Sequence, residues 1–131
     1  VAGTIAAEKV YEDRQMIAIL DIGPVAKGHT LVIPKDHHVT FLDMPTDVAK
    51  EFSHVTKVVG DAVMKATGAE GINISMNIRP AAGQSVMHAH FHVIPRFHGD
   101  GLRLWPQGTY AAGEAEEVAG KIRRALPQQS L

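Results

Sequence analysis

The chain contains no cysteine, which excludes disulfide staples and thiolate metal sites for the residues shown. It also lacks any apolar run near the ~20 residues that cross a bilayer, and no secretory signal is visible. An excess of charge of one sign is missing too: 13 Lys and Arg stand against 14 Asp and Glu, giving a net charge of -1 and a pI near 6.8. That balance sets up no field able to hold nucleic acid without a local site. Neither a membrane nor a nucleic acid is therefore an expected partner, and a cytoplasmic location is expected. Internal repeats, low-complexity tracts and linkers are absent as well. The chain opens at Val1 without an initiator Met, so a short N-terminal piece is expected to be missing.

What is there has the composition of a soluble globular protein: 131 residues, 45% hydrophobic and 21% charged. This is the size of one domain, 1–131, able to bury roughly two-thirds of its unfolded surface around a single core. Gly and Pro divide it into short elements. Lys9 to Glu12 and Met16 to Leu20 flank the polar turn Asp13-Arg14-Gln15 and read as a hairpin. His29 to Ile33, between Gly28 and Pro34, reads as a third strand. From Pro45 to Thr67 the apolar residues Val48, Phe52, Val55, Val59, Ala62 and Ala66 recur every three or four positions, the stripe of an amphipathic helix, with Gly68 as its stop.

Gly71 to Asn77 and Ser85 to Pro95 read as two further strands around the loop Ile78-Arg79-Pro80-Ala81-Ala82-Gly83-Gln84. Glu114 to Leu126 carries acids first and Lys121, Arg123 and Arg124 last, a charge order that suits the helix dipole, and Pro127 should close it. The order of elements predicts an α+β fold: an antiparallel sheet of about five strands, one long helix and a C-terminal helix.

The most informative string is Ser85-Val86-Met87-His88-Ala89-His90-Phe91-His92-Val93-Ile94-Pro95-Arg96. Three of the eight histidines alternate with small or apolar residues, the two-residue period of a strand. His88, His90 and His92 then form an imidazole row on one face, while Ala89, Phe91 and Val93 enter the core. Metal binding is one use for such a row, since a neutral imidazole is a common zinc ligand. At a rise of ~3.3 Å per residue, however, the outer two backbones stand roughly 13 Å apart. A His-x-His pair joined by a third ligand such as His29 stays open. Nucleophilic catalysis at phosphorus is the other use: one imidazole attacks, a second hydrogen-bonds the oxygens, and loop N–H groups hold the rest.

Gly83 to Arg96 resembles the signature of the histidine triad (HIT) superfamily, His-φ-His-φ-His-φ-φ with φ apolar, and meets every position of it. Val10-Tyr11-Glu12-Asp13, Ala18 to Pro24, Lys27 to Lys35 and Asn77, 11 residues before His88, extend the likeness over almost the whole chain. The resemblance implies a HIT-like fold and a hydrolase without a cofactor, acting on a purine nucleotide as a homodimer. It implies that His90 attacks the α-phosphorus, oriented by the backbone carbonyl of His88. His92 would face the phosphate oxygens or leaving group, and His29 would support the triad. Asn77, Gly83, Gln84 and Ser85 would line the phosphate pocket, Asp21 would take the ribose hydroxyls, and Ile22 would lie beside the base.

Ala89 and His92 differ from the Pro and Gln of the uridylyltransferase branch, which favours hydrolysis over transfer. The likeness leaves two branches open, Hint-like phosphoramidate hydrolases and Fhit-like dinucleoside polyphosphate hydrolases, alongside a non-catalytic nucleotide sensor or scaffold and a metal-dependent hydrolase. Related bacterial proteins often begin with a cysteine-containing, zinc-binding segment. Positions 79 to 82 depart from the acidic, glycine-rich loop of the Hint branch, and Arg79 there could attract phosphate. His37, His38, His54, His98 and Trp105 fall outside the site on this reading, with His54 solvated and Trp105 a packing residue.

Overall fold

A computed structural model describes residues 7–127. The chain divides into two compact units, Val1–Asp100 and Gly101–Leu131. The first holds a five-stranded antiparallel sheet: β1 (Lys9–Glu12), β2 (Met16–Leu20), β3 (Thr30–Pro34), β4 (Gly71–Ser75) and β5 (Phe91–Arg96), in the spatial order β1-β2-β3-β5-β4. One long helix, α1 (Thr46–Thr67), connects β3 to β4. The α+β architecture agrees with the expectation from sequence.

Local chemistry sets these elements. Asp13 Oδ1 accepts the N–H groups of Gln15 and Met16, both at 2.8 Å, and so closes the β1–β2 hairpin as an Asx turn. α1 starts after Pro45, whose carbonyl accepts the Ala49 N–H at 2.9 Å. It stops at Gly68, left-handed at φ 68°, as expected from sequence. One face of α1 buries Phe52, Val55, Thr56, Val59, Gly60 and Val63 against Met16, Ala18, Val32, Ala89 and Val93 of the sheet segments. Phe52 and Phe91 meet with ring centroids 4.6 Å apart. At the C-terminal end of the helix the stripe runs through Val63, while Ala62 and Ala66 are exposed. A period of 3.6 carries position 59 forward to 63, and alanine has too little surface to pull the stripe round.

Three boundaries move. β3 begins at Thr30, one residue later than expected, and β4 ends at Ser75, two residues before Asn77. The larger correction concerns Ser85 to Pro95, where only Phe91 onward is strand. The partner strand β3 ends at Pro34, which has no N–H to extend a ladder. The preceding stretch is extended but held one bond at a time: Ala89 N–H donates to His38 O at 2.7 Å and the His88 side chain reaches Pro34 O. The alternation survives, since Ala89 and Val93 are buried at 2% and 0% exposure.

The second unit contains α2 (Glu114–Ala125), with Glu114, Glu116 and Glu117 in its first turn and Arg123 and Arg124 in its last. This order offsets the helix dipole. Leu126 caps it before Pro127. Trp105, expected to pack, is 89% exposed.

Candidate active site

Strand register assembles one face of the sheet into a cleft. Ile19 of β2 pairs with Leu31 of β3, and Leu31 with His92 of β5, so the three lie in one cross-strand row. Ile33, two residues along β3, continues the same face. These side chains floor a cleft of about 430 Å³ that Asp21, Ile22, Ser85, Val86, His88, His90 and His92 also line. The imidazole row thus faces away from α1, with an apolar floor beneath it.

Hydrogen bonds to fixed backbone groups decide which nitrogen of each ring carries the proton. His90 Nδ1 lies 2.8 Å from the carbonyl of His88. A carbonyl only accepts, so the proton is on Nδ1 and the lone pair is on Nε2. His88 Nε2 donates to Pro34 O at 2.8 Å, which leaves its Nδ1 to accept from His37 Nδ1 at 3.2 Å.

On the other side, the Val25 N–H donates to His29 Nδ1 at 3.1 Å. The proton of His29 is therefore on Nε2, which donates to His92 Nδ1 at 2.9 Å. His92 is left with its proton on Nε2. The row thus presents two unlike groups: a bare nitrogen on His90 and an N–H on His92, their ring centroids 4.9 Å apart.

The surroundings favour the neutral rings that this pattern needs. Burial pushes the His29 pKa below the ordinary imidazole value, and repulsion from His90 adds to this against the pull of Asp21. His92 is lowered first by burial, then by His90 and His29. His88 is lowered by burial, partly offset by its bond to the Pro34 carbonyl. All three effects oppose the charged form of the ring.

Asp21 sits at the end of β2. Its Oδ1 accepts the Gly23 N–H at 2.8 Å, and its Oδ2 lies 3.7 Å from His29 Nε2. The backbone N–H of Asp21 donates to His29 O at 2.9 Å, pinning the loop that carries both residues. Gly28 is needed in this loop: a Cβ there would lie 2.8 Å from Thr67 Cγ2 of α1. Asp21, His29 and His92 offer ligand atoms all within 4.8 Å of one another, the one such group among the described residues. It differs from the His row considered for zinc. Its two ring nitrogens, 2.9 Å apart, are hydrogen-bonded to each other.

The loop before the triad is held by Gln84, whose side chain is 6% exposed. Its Nε2 donates to Val39 O at 2.7 Å and to Val86 O at 3.0 Å, and its Oε1 accepts the Arg79 N–H at 2.7 Å. All of its polar atoms are thus committed to backbone. Gln84 shapes the pocket wall from behind, and its amide does not face the cleft. Gly83, left-handed at φ 96°, packs against Asn77: a Cβ there would lie 3.3 Å from Asn77 Nδ2. Neither lines the cleft, whereas Ser85 does.

The sequence pattern put His37 outside the site, whereas its ring meets His88, and it gave no site role to Val25, Pro34 or the apolar floor. The backbone donors and acceptors carry no side-chain signal. The floor does carry one: Met16–Leu20 and Thr30–Pro34 are apolar on both faces, as strands covered on both sides are. His54 is exposed, as expected.

The HIT domain profile matches residues 2–99. The crystal structure of a HIT family member from Bacillus subtilis superposes with a TM-score of 0.88 at 35% identity, over 98% of this chain and 94% of that one. An adenylylsulfatase of Arabidopsis thaliana is 33% identical over 138 residues, covering 100% of this chain and 70% of its own. An adenosine 5'-monophosphoramidase of Schizosaccharomyces pombe is 35% identical over 129 residues, with 94% of each chain covered.

Proposed function

This chain belongs to the HIT family, and on that premise we propose that it is a nucleotidyl hydrolase. It cleaves the α-phosphate linkage of a nucleoside phosphoramidate or dinucleoside polyphosphate through a covalent nucleotidyl-histidine intermediate and releases a nucleoside monophosphate. The observation that carries this reading is the fixed tautomer of His90, which leaves Nε2 unprotonated on a ring that lines the cleft. The similarity to an adenylylsulfatase and to an adenosine 5'-monophosphoramidase supports it.

In the first step His90 Nε2 bonds to the α-phosphorus, and the bond to the leaving group breaks with its electron pair. Positive charge then spreads over the His90 ring, and the Nδ1–H bond to the His88 carbonyl strengthens as that N–H becomes more acidic. His92 Nε2–H donates to the phosphate oxygens, held in that tautomer by His29 and the Val25 amide. Water next attacks the phosphorus, the Nε2–P bond returns its pair to His90, and a proton goes to solvent. Asp21 takes the ribose hydroxyls, Ile22 lies against the base, and Ser85 holds phosphate oxygens, with Asn77 and Gly83 packed together in the loop behind it. Gln84 acts as a positioning residue through the loop.

A substrate panel tests the reading. Wild type should hydrolyse an adenosine phosphoramidate or a diadenosine polyphosphate, and His90→Ala should hydrolyse neither. Turnover of neither by wild type would leave a nucleotide sensor or scaffold, and chelator-sensitive activity with bound zinc would point to metal-dependent hydrolysis. We also propose a homodimer. β4 is an edge strand, its Ile74 is 46% exposed, and open edges are commonly paired about a two-fold axis. Ile74→Lys should shift the molar mass measured by light scattering from dimer to monomer. A monomeric wild type would end that proposal.

A further inference from the structure

Arg79 is the one non-glycine residue with a positive φ among the described residues, at φ 72° and ψ 156°. That region is populated essentially by glycine, and a side chain there is strained. The strain is held in place from both directions. The Arg79 N–H donates to the buried Gln84 Oε1 at 2.7 Å, and the Arg79 carbonyl accepts the N–H groups of Ala82 at 3.0 Å and Gln84 at 3.1 Å. Every one of these bonds uses the Arg79 backbone and would survive a glycine. The fold therefore has a use for glycine here and none for the arginine side chain.

The cleft has a complementary lack. Among the described residues no lysine or arginine lines it, and Asp21 is the one acidic residue that does. His29, His88 and His92 are biased towards the neutral form. From Gly71 to Gly99 the chain contains no Asp or Glu at all, so no nearby acid in sequence neutralises an arginine in this loop. Arg79 is exposed, and its loop is clamped through Gln84 to Ser85 and Val86 at the cleft wall. The Gln84 N–H bond to the Arg79 carbonyl at 3.1 Å sets Arg79 beside the residue that precedes Ser85 of the wall, a separation that an extended arginine side chain can span.

We infer that Arg79 is a specificity-determining residue that selects substrates whose leaving group departs as an oxyanion, that is, nucleotidyl anhydrides. This rests on the hydrolase reading above. When His90 Nε2 attacks an anhydride, the P–O bond breaks and its electron pair leaves on a sulfate or phosphate oxygen. No proton is required, but negative charge accumulates at the exit side of a cleft without a cation of its own. Arg79 offsets it with a charge-assisted hydrogen bond. An amine leaving group differs: it departs neutral after its nitrogen has taken a proton from solvent and gains little from a guanidinium.

The test compares Arg79→Gly and Arg79→Lys with wild type on adenylyl sulfate and adenosine phosphoramidate. Arg79→Gly should raise the melting temperature while lowering the ratio of kcat/KM for the sulfate over the phosphoramidate about tenfold. Arg79→Lys should restore much of the ratio. An unchanged ratio in Arg79→Gly would overturn the inference and leave the hydrolase reading standing. If wild type turned over neither these substrates nor a diadenosine polyphosphate, the hydrolase reading would fail, and binding would then decide the inference. ADP, whose second phosphate stands in for the departing oxyanion, should bind Arg79→Gly about tenfold more weakly relative to AMP; an equal ratio would overturn it.

Discussion

On the α1 side of the sheet, Phe52, Val55 and Val59 meet Met16, Ala18, Val32 and Val93 with no hydrogen bond deciding where any of them goes. On the other side, each of His29, His88, His90 and His92 has a ring nitrogen fixed against a partner, and three of those partners are backbone groups. The first face is specified by volume and hydrophobicity, which many side chains can satisfy. The second is specified by the direction of single protons, where one changed atom reverses a donor and an acceptor. Stability and chemistry are thus separated across the thickness of one sheet.

The sharpest way to test that separation is His90→Ala. It should lower kcat about 10⁴-fold or more, since a nucleophile is removed and no other group lies in its place, with little change in melting temperature. Unfolding of this variant would break the comparison. The converse is Phe52→Ala, which empties the centre of the α1 face. It should cost about 3–5 kcal/mol in chemical denaturation and leave kcat/KM per folded molecule close to wild type. A large loss of kcat/KM in folded protein would show that the two faces are coupled.

A smaller effect is expected of His29→Asn, whose amide can still meet the Val25 N–H but is too short to donate to His92 from the position of the His29 Nε2. kcat/KM should fall about a hundredfold through the His92 tautomer, read against an unchanged KM for the nucleoside part.

The smallest effect is on stability. The folded pKa values of His29, His88 and His92 lie below 6.5, so the unfolded chain takes up protons that the folded chain refuses. Their contribution is fully present above pH 6.5 and is lost as pH falls through the interval below it. Denaturation midpoints measured from pH 8 to pH 5 should be flat at first and then decline. His29→Asn should show a shallower decline, and an equal one would remove His29 from the linkage.

The two faces also differ in how far they were legible in the sequence. The hairpin, α1 and its glycine stop, and the alternation of Ala89, Phe91 and Val93 follow from periodicity and turn chemistry, which are local. The extent of β5 does not, because its ladder ends where Pro34 of a distant strand withholds an N–H. The HIT resemblance assigned His88, His90, His92, Asp21, Ile22 and Ser85 to the site, and all six line the cleft, but it also put Asn77, Gly83 and Gln84 in the phosphate pocket, and none of these three lines it. A glutamine in a polar loop reads equally as facing a ligand or facing its own backbone, and only the carbonyls of Val39 and Val86 decide it. Val25, which sets the tautomer of His29, contributes an amide that every residue but proline has, so no residue type could have marked it.

The central claim is that His90 Nε2 bonds to phosphorus. Wild-type protein mixed with adenosine phosphoramidate, quenched in milliseconds and digested should yield an adenylylated peptide. Mass spectrometry should place the adduct on His90, and His90→Ala should give none. Turnover with no adduct on His90 under conditions that trap the intermediate, or an adduct on His88 or His92 instead, would contradict the account.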